Sequence, residues 1–322
     1  MRWGVLGCAN IAKTSVIPAI QEVEGNQLIA VASRDLKKAT EFSKLFNCKA
    51  ILGYDTLLAS TDIDVVYIPL PTGMHHEWVI NALNCGKHVL VEKSAVSSLA
   101  EAKEIIALAR TKNLAIVENF QFQYHSQHRY VKDIMENEEL GEIRCFRSSF
   151  GFPPFSIDTN IRYNRKLGGG ALLDAGAYVL RATSFMLGEG FEVASSFLRM
   201  NPKFNVDWFG GAFLVNKSKG IFSEVAFGFD NFYQCNYEIW GSKGKITSTR
   251  AFTAKSGFKP TILLEKHGFK EEIVLPEDNH FRNMIKHFNQ VVKSNKYEVE
   301  WENILSQSQL IDQVFSKNGN LS

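Results

Sequence analysis

Short apolar runs alternate with helical patterns along the first 120 residues of the chain. Val65–Ile68 and His88–Val91 are apolar almost throughout, which is typical of strands buried on both faces of a parallel sheet. Between such runs, apolar residues recur at helical spacing, as in His76–Asn84 and Leu99–Thr111. This alternation predicts an α/β fold whose N-terminal part is a doubly wound parallel sheet.

The pattern changes in the second half of the chain. Long runs of β-branched and aromatic residues, such as Val206–Val215, are separated by glycine, asparagine, aspartate and lysine. They predict a C-terminal α+β domain with a large, mainly antiparallel sheet. Helical patterns at Leu172–Met186 and near the C-terminus accompany it. We therefore expect two domains, 1–122 and 123–322.

Composition narrows the class of protein. Of 322 residues, 45% are hydrophobic and 22% are charged, as in globular proteins. A net charge of +2 is too small to indicate nucleic acid or an anionic membrane as a partner. The chain starts without a signal-peptide pattern and has no apolar run long enough for a membrane span. Five distant cysteines favour a cytoplasmic location, and no His, Cys and carboxylate cluster has ligand spacing, so no metal is predicted.

The first strand-to-helix turn has the sequence Gly4-Val5-Leu6-Gly7-Cys8-Ala9-Asn10-Ile11-Ala12. Gly7 permits the tight turn, and the N-terminus of the following helix offers N–H groups to a pyrophosphate. Ala12 is an accepted variant of the dinucleotide fingerprint, whereas the methyl group of Ala9 narrows the approach to the phosphate. The motif predicts a Rossmann dinucleotide-binding domain, and a purely structural turn is the alternative. The predicted phosphate-binding residues are Gly7, Cys8, Ala9, Asn10 and Ile11.

The end of the second strand bears on the choice of cofactor. An NAD site would place a carboxylate at the strand tip, but Ser33 and Arg34 come first here, with Lys38 one helical turn later. A guanidinium suits a 2′-phosphate by its charge and its forked donors. We predict NADP, with NAD less favoured. Alternatively, Arg34 and Lys38 form a solvated surface, and Asp35 caps the helix in either case.

Two further places carry candidate chemistry. Lys93 follows a predicted buried strand, and ligands of open α/β sheets bind at the carboxyl ends of strands. Asp174 and Tyr178 stand four residues apart on one predicted helix and therefore face the same way. Hydride transfer to a carbonyl requires a proton on the oxygen, and a tyrosine hydroxyl beside an ammonium can supply it.

Several separated motifs together resemble the glucose–fructose oxidoreductase, inositol dehydrogenase and rhizopine catabolism (Gfo/Idh/MocA) family. In chain order they are Pro69–His76, Gly86–Lys93, Glu118–His125, Gly168–Tyr178 and Trp240–Gly244. They span nearly the whole chain and occur in the family's order. Ser94 replaces the proline that usually ends the family's Glu-Lys-Pro motif.

The resemblance implies roles for particular residues. Lys93 matches the family's catalytic lysine and would hold the substrate oxygen, Tyr178 would exchange the proton, and Asp174 would orient substrate hydroxyls or the lysine. Lys93 remains an alternative proton donor. The predicted cofactor site also includes Ser33, Arg34, Lys38, Pro69, Leu70, Pro71, Thr72, His75, Glu92, Lys93, Asn119, Gln123 and Arg162. For His75, a structural role is an equal alternative.

The predicted function is an NADP-dependent oxidoreductase that transfers a hydride between the nicotinamide and a sugar, keto-sugar or polyol carbon, nucleotide-linked or free. Tyr178 and Asn160-Ile161-Arg162 also resemble aldose and trans-dihydrodiol dehydrogenases, which are alternatives. A non-catalytic NADP-binding sensor or regulatory protein is the rival class, although Lys93 with Tyr178 argues against it. We expect a small-molecule substrate and a homodimer or homotetramer formed through the C-terminal sheet.

Overall fold

The computed structural model describes residues 1–155 and 160–319, which form two compact units. The first unit comprises Met1–Asn119 and Phe281–Ser308, and the second comprises Phe120–His280 and the residues from Gln309 onward. The predicted domain bounds, 1–122 and 123–322, stay a prediction. The units differ from them because residues 281–308 belong with the N-terminal part of the chain.

The first unit contains a six-stranded parallel sheet. Its strands are β1 (Arg2–Leu6), β2 (Gln27–Ser33), β3 (Lys49–Leu52), β4 (Val65–Ile68), β5 (His88–Glu92) and β6 (Ile116–Asn119). Their order is β3-β2-β1-β4-β5-β6, so the direction of winding reverses between β1 and β4. The doubly wound parallel sheet is therefore confirmed, and its carboxyl edge at this reversal is where such sheets bind ligands.

Helices account for much of the remaining described chain. The α-helices are α1 (Ile17–Glu22), α2 (Leu36–Phe46), α3 (Tyr54–Leu58), α4 (His75–Asn84), α5 (Leu99–Lys112), α6 (Ser126–Glu136), α7 (Ala177–Leu187), α8 (His280–Ser294) and α9 (Glu298–Ser316). Wider π-helical turns lie at Ala12–Val16 and Leu172–Gly176, directly before α1 and α7. Short 3-10 helices lie at Thr72–Met74, Gln121–Tyr124, Ile161–Tyr163 and Arg165–Leu167. In this part of the chain no helix combines the length and apolarity needed to cross a membrane.

Aromatic packing explains why α8 and the start of α9 belong to the first unit. Phe288 of α8 is fully buried, and its ring lies 5.0 Å from that of Trp3 in β1. Tyr297 packs against His88 of β5, with 6.0 Å between ring centroids. Burying one such side chain stabilises the fold by about 1.5–3 kcal/mol. These two contacts attach the C-terminal helices to the N-terminal sheet.

The second unit is built on an eight-stranded sheet. Its strands are β7 (Ile143–Gly151), β8 (Glu192–Asn201), β9 (Val206–Asn216), β10 (Ile221–Gly228), β11 (Gln234–Gly241), β12 (Gly244–Ser248), β13 (Thr261–Lys266) and β14 (Phe269–Val274). They are ordered β14-β13-β12-β11-β7-β10-β9-β8, and of these neighbours only β7 and β10 run parallel. The predicted mainly antiparallel sheet is thus confirmed.

The sheet of the second unit has one covered and one open face. Helix α7 is buried along nearly its whole length and packs into the core on one face. Phe197, Phe209, Phe213 and Trp240 remain partly exposed. Apolar patches of this kind mark interaction surfaces. An interface here in a homodimer or homotetramer stays a prediction.

Two buried histidines in the second unit make stability depend on pH. Burial lowers the pKa of His128 and of His280 to about 3, below the ordinary value of 6.5. The unfolded chain therefore binds more protons than the folded chain between these values, and stability falls as pH drops through that window. We expect each ring to remove about 2 kcal/mol of the free energy of unfolding between about pH 8 and about pH 5.

Urea unfolding followed by tryptophan fluorescence at both pH values tests this expectation. His128→Asn serves as the comparison, because it removes one titrating ring whose nitrogens lie 2.9 Å from Tyr237 Oη and 3.1 Å from the Ala251 carbonyl. Between the two pH values, the free energy of unfolding of the variant should fall by about 2 kcal/mol less than that of the wild type. Equal stability of the wild type at the two pH values would contradict the assignment.

Candidate active site

The turn after β1 has the geometry of a phosphate-binding loop. Gly7 has φ +120°, and its N–H donates to the Ala32 carbonyl at 2.9 Å. A Cβ at Gly7 would lie 3.0 Å from Leu70 Cδ2, so a side chain would be strained and crowded there. The first helical bond runs from Lys13 N to Ala9 O, which leaves the preceding N–H groups without helical acceptors. Such groups at a helix N-terminus suit an anion.

Polar and charged residues gather at the tip of β2. Ser33 Oγ accepts from Asp35 N at 3.1 Å, and the Asp35 side chain accepts from Lys37 N at 2.9 Å. The predicted capping role of Asp35 is therefore confirmed. Arg34 and Lys38 are exposed beside this tip. Arg34 and Lys38 thus place two cations at the surface of this tip, and the Asp35 carboxylate serves as a helix cap.

Cys8 lies beside this polar tip. Burial raises the pKa of its thiol, and a hydrogen bond with Ser33 opposes that rise. The thiol is therefore protonated at neutral pH and is a weak hydrogen-bonding group. The prediction that Cys8 helps to bind the phosphate therefore concerns its backbone N–H group and not its thiol.

Lys93 directly follows β5, where hydrogen bonds join the ends of three strands. Glu92 accepts from Tyr67 Oη of β4 at 2.5 Å and from Asn119 Nδ2 of β6 at 2.6 Å. Burial raises the pKa of Glu92, while these donors and the charge of Lys93 oppose the rise. The Lys93–Ser94 peptide bond is cis. Glu92 therefore fixes the strand end from which Lys93 projects.

His75 is fully buried beside the same strand end. Its Nδ1 lies 2.7 Å from the Ser94 carbonyl, and its Nε2 lies 2.7 Å from the Leu70 carbonyl. Burial lowers the pKa of His75 to about 4, so the ring is neutral at pH 7. The ring connects the Pro69–Thr72 loop to the residue after Lys93. Its role as a cofactor contact stays a prediction, which these contacts do not favour.

Tyr178 of α7 lies in an aromatic cage in the second unit. The rings of Phe120, Phe150 and Phe252 lie 5.2–5.6 Å from its ring. Gln121 Nε2 lies 3.2 Å from the Tyr178 hydroxyl, and both side chains are buried. Gln121 was not among the predicted site residues. Its position two residues before Gln123 in a family motif was the available signal.

Asp174 is held by Arg162. The two side chains form an ion pair at 2.5 Å, and the Arg162 guanidinium also lies 4.6 Å from the centre of the Phe155 ring. The Asp174 side chain is only 22% exposed. Asp174 is therefore paired with a cation of its own unit. The predicted roles of Asp174 in catalysis and of Arg162 as a cofactor contact stay predictions.

Gln123 is bound within the second unit as well. Its Oε1 accepts from Arg181 Nε at 3.3 Å and from Arg181 Nη2 at 3.2 Å. Arg181 is 6% exposed, so this contact orients the Gln123 amide in a buried environment. The predicted place of Gln123 beside the nicotinamide stays a prediction.

The predicted site residues are divided between the two units. In the first unit, the turn after β1, the tip of β2, the Pro69–Thr72 loop, Lys93 and Asn119 all lie at the carboxyl edge of the sheet. In the second unit, Asp174 and Tyr178 lie on one continuous helical segment. Within the described residues, no three His, Cys, Asp or Glu side chains are arranged to hold a metal ion.

Residues 1–120 match the family described as "Oxidoreductase family, NAD-binding Rossmann fold", and residues 128–247 match the Gfo/Idh/MocA C-terminal domain. The dTDP-3,4-didehydro-2,6-dideoxy-alpha-D-glucose 3-reductase of Saccharopolyspora spinosa is 41% identical over 288 residues, covering 89% of this chain and 86% of that protein. The enzyme of the same name from Actinomadura kijaniata is 38% identical over 315 residues, covering 98% and 94%.

A solved structure of a 3-ketoreductase from Actinomadura kijaniata with NADP and TDP-benzene superposes with a TM-score of 0.94 at 38% identity, covering 98% of this chain and 97% of that one. The fold and the family matches define an NAD(P)-dependent oxidoreductase. The chain belongs to the Gfo/Idh/MocA family of oxidoreductases. The predicted resemblance is therefore confirmed.

Proposed function

We propose that this chain is an NADP-dependent 3-ketoreductase of a nucleotide-linked keto-deoxysugar. One observation carries the proposal, namely 38% identity over 98% of the chain to a reductase named for a dTDP-linked keto-deoxysugar. Solved structures of such a relative include variants of one lysine and one tyrosine, the residue types of Lys93 and Tyr178. The coarser activity, oxidoreduction of a sugar, follows from the same relatives.

The first unit offers a fitting place for the cofactor. Gly7 and the helix start behind it would hold the pyrophosphate, and Arg34 with Lys38 would hold the 2′-phosphate. Position 7 requires glycine, because its φ is positive and a Cβ there would crowd the Leu70 side chain. When bound, NADPH supplies the hydride.

Lys93 stabilises charge on the substrate oxygen in this proposal. Its ammonium projects from a strand end that Glu92, Tyr67 and Asn119 hold in place. A cation fixed before the reaction stabilises a developing alkoxide without reorganisation. Burial disfavours the charged form of Glu92. Its hydrogen bonds with Tyr67 and Asn119 and the neighbouring charge of Lys93 oppose this effect.

Tyr178 donates the proton to that oxygen, and Asp174 orients the sugar. The Tyr178 hydroxyl is buried and aligned by the Gln121 amide, so it can pass a proton without competition from bulk water. Asp174, paired with Arg162, accepts hydrogen bonds from substrate hydroxyls while its charge remains balanced.

Turnover of NADPH with a panel of keto-sugars tests the activity. We expect absorbance of NADPH to fall with dTDP-linked 3-keto-deoxysugars and to fall far less with the free sugars. Tight NADPH binding without turnover of any keto-sugar would favour the rival sensor function. Faster oxidation of trans-dihydrodiols or aldoses would favour the dehydrogenase alternative.

Arg34→Ala tests the preference for NADP. The variant should bind NADPH more weakly by about 1–3 kcal/mol, because a charge-assisted contact with the 2′-phosphate is lost, while NADH binding should change little. Fluorescence titration with both cofactors gives the two dissociation constants. Lys44→Ala, which removes an exposed cation from the other end of α2, is the matched control. An equal loss for NADPH and NADH would refute the 2′-phosphate role.

A further inference from the structure

The helical segment that carries Asp174 and Tyr178 begins without a capping side chain of its own. The sequence Gly168-Gly169-Gly170-Ala171-Leu172-Leu173 contains no Ser, Thr, Asp or Asn, the residues whose side chains usually cap a helix N-terminus. Ala171 occupies the N-cap position and makes no side-chain hydrogen bond. The first N–H groups of a helix need acceptors, so a group from elsewhere must supply them.

Asp207 of β9 supplies these acceptors. Asp207 is 3% exposed, and its carboxylate accepts hydrogen bonds from the N–H groups of Leu172, Ala171 and Asp207 itself. A negative charge at a helix N-terminus is also favoured by the helix dipole. Burial raises the pKa of Asp207 to about 6, which is still low enough for the carboxylate to be ionised above neutral pH. The helix is therefore capped by a strand 35 residues away in sequence.

The glycine triplet allows this approach. Gly170 has φ +124°, and a Cβ at this position would overlap Asp207 Oδ1. A Cβ at Gly169 would lie 2.5 Å from the Arg162 carbonyl oxygen, and Gly170 N donates to that same oxygen at 3.0 Å. The triplet thus packs against the Asp207 carboxylate and the Arg162 backbone. The loop, the helix start and the tip of β9 form one hydrogen-bonded arrangement.

We propose that Asp207 is a positioning residue, which fixes the first turn of this helix and thereby the orientation of Asp174 and Tyr178. The inference rests on the proposed function, since it assumes that these two side chains act on the substrate. Asp174 lies two residues after Leu172, and its own N–H makes a long bond of 3.3 Å to Gly170 O. The bonds that the Leu172 and Ala171 N–H groups donate to Asp207 constrain the start of this turn. A small displacement of reacting groups lowers rates strongly.

Two variants and one control test the proposal. Asp207→Ala removes the acceptors, and Asp207→Asn keeps the shape and one acceptor oxygen. Asn216→Ala is the matched control, because Asn216 ends the same strand, is 1% exposed and accepts from Ser218 Oγ at 2.8 Å and Lys219 N at 3.1 Å. This variant removes partly buried hydrogen bonds that lie far along β9 from the helix start.

Hydrogen–deuterium exchange of the peptide containing Ala171 and Leu172 directly measures how well the Asp207 carboxylate protects the N–H groups of these two residues. We expect exchange to become about tenfold faster or more in Asp207→Ala, and less so in Asp207→Asn. Steady-state kinetics should show kcat lowered about 10- to 100-fold in Asp207→Ala, with partial recovery in Asp207→Asn and an unchanged NADPH dissociation constant. Asn216→Ala should unfold at lower urea concentration but keep its kcat.

The outcomes separate the inference from the proposed function. Unchanged exchange at Ala171 and Leu172 in Asp207→Ala would show that Asp207 does not fix the first turn of this helix. Faster exchange with unchanged kcat would overturn the positioning role, as would an equal loss of kcat in Asn216→Ala. Faster exchange in a protein whose wild type reduces no keto-sugar would overturn the proposed function and with it the positioning role, while the anchoring contact would stand.

Discussion

Lys93→Ala is expected to lower kcat by about 10³-fold or more while changing the NADPH dissociation constant little. Removing one fixed donor to a developing oxyanion costs about 10²–10³ in rate, and here the donor also carries a full charge. The cofactor contacts proposed for Gly7, Arg34 and Lys38 involve other strand tips, so binding should survive. Single-turnover kinetics with saturating NADPH and a dTDP-linked keto-sugar measure the effect.

Two comparison variants sharpen this test. Lys93→Arg keeps the positive charge but spreads it over a planar guanidinium, so it should restore only part of the lost rate. Lys112→Ala removes an exposed lysine at the end of α5 and should behave like the wild type. Near-normal turnover by Lys93→Ala would exclude Lys93 as the group that binds the substrate oxygen.

Tyr178→Phe is expected to lower kcat by about 10²–10⁴-fold, the usual contribution of a positioned general acid. The ring remains, so its packing against Phe120, Phe150 and Phe252 should be kept. The Gln121 amide loses a partner, which costs about 1 kcal/mol of the free energy of unfolding. The kinetics should therefore change far more than the stability.

Tyr237→Phe provides the control for Tyr178→Phe. Tyr237 is fully buried in the same unit, and its hydroxyl lies 2.9 Å from His128 Nδ1. The control should lose stability without a loss of kcat. If Tyr178→Phe turned over at the wild-type rate, the proton would have to come from Lys93 or from water, which is the alternative that the sequence left open.

Local signals in the sequence predicted the first sheet and the residues at its carboxyl edge. Lys93 was predicted because it is a charged residue that directly follows a buried apolar run. The capping role of Asp35 was predicted because a helix cap directly precedes its helix in the sequence. Strand β3 and helix α3 were not predicted, since Lys49–Leu52 is a short, partly exposed edge strand and Tyr54–Leu58 spans little more than one turn. The helical period of α8 predicted a helix but not the sheet on which it packs.

Contacts between residues distant in sequence were outside the reach of pattern analysis. Asp207 lies in an apolar strand, where a single carboxylate carries no sign of the helix it caps. The three glycines at 168–170 permit close approach of another group but do not identify it. The observed neighbours of Gly169 and Gly170 are the Arg162 backbone and the Asp207 carboxylate. The contacts of Gln121 with Tyr178 and of Arg181 with Gln123 were not predicted for the same reason. Each joins residues more than fifty positions apart in the sequence.

The path of the chain limits how this protein can be recombined with its relatives. The chain passes between the two units after Asn119, after His280 and after Ser308, so neither unit is one continuous stretch. A fragment that stopped at residue 122 would lack Phe288 and Tyr297, and would expose Trp3 and His88 to water. Exchanging the second unit for that of another family member therefore needs three matched junctions. A chimera joined only once, near residue 120, would combine the first sheet of one protein with α8 of the other.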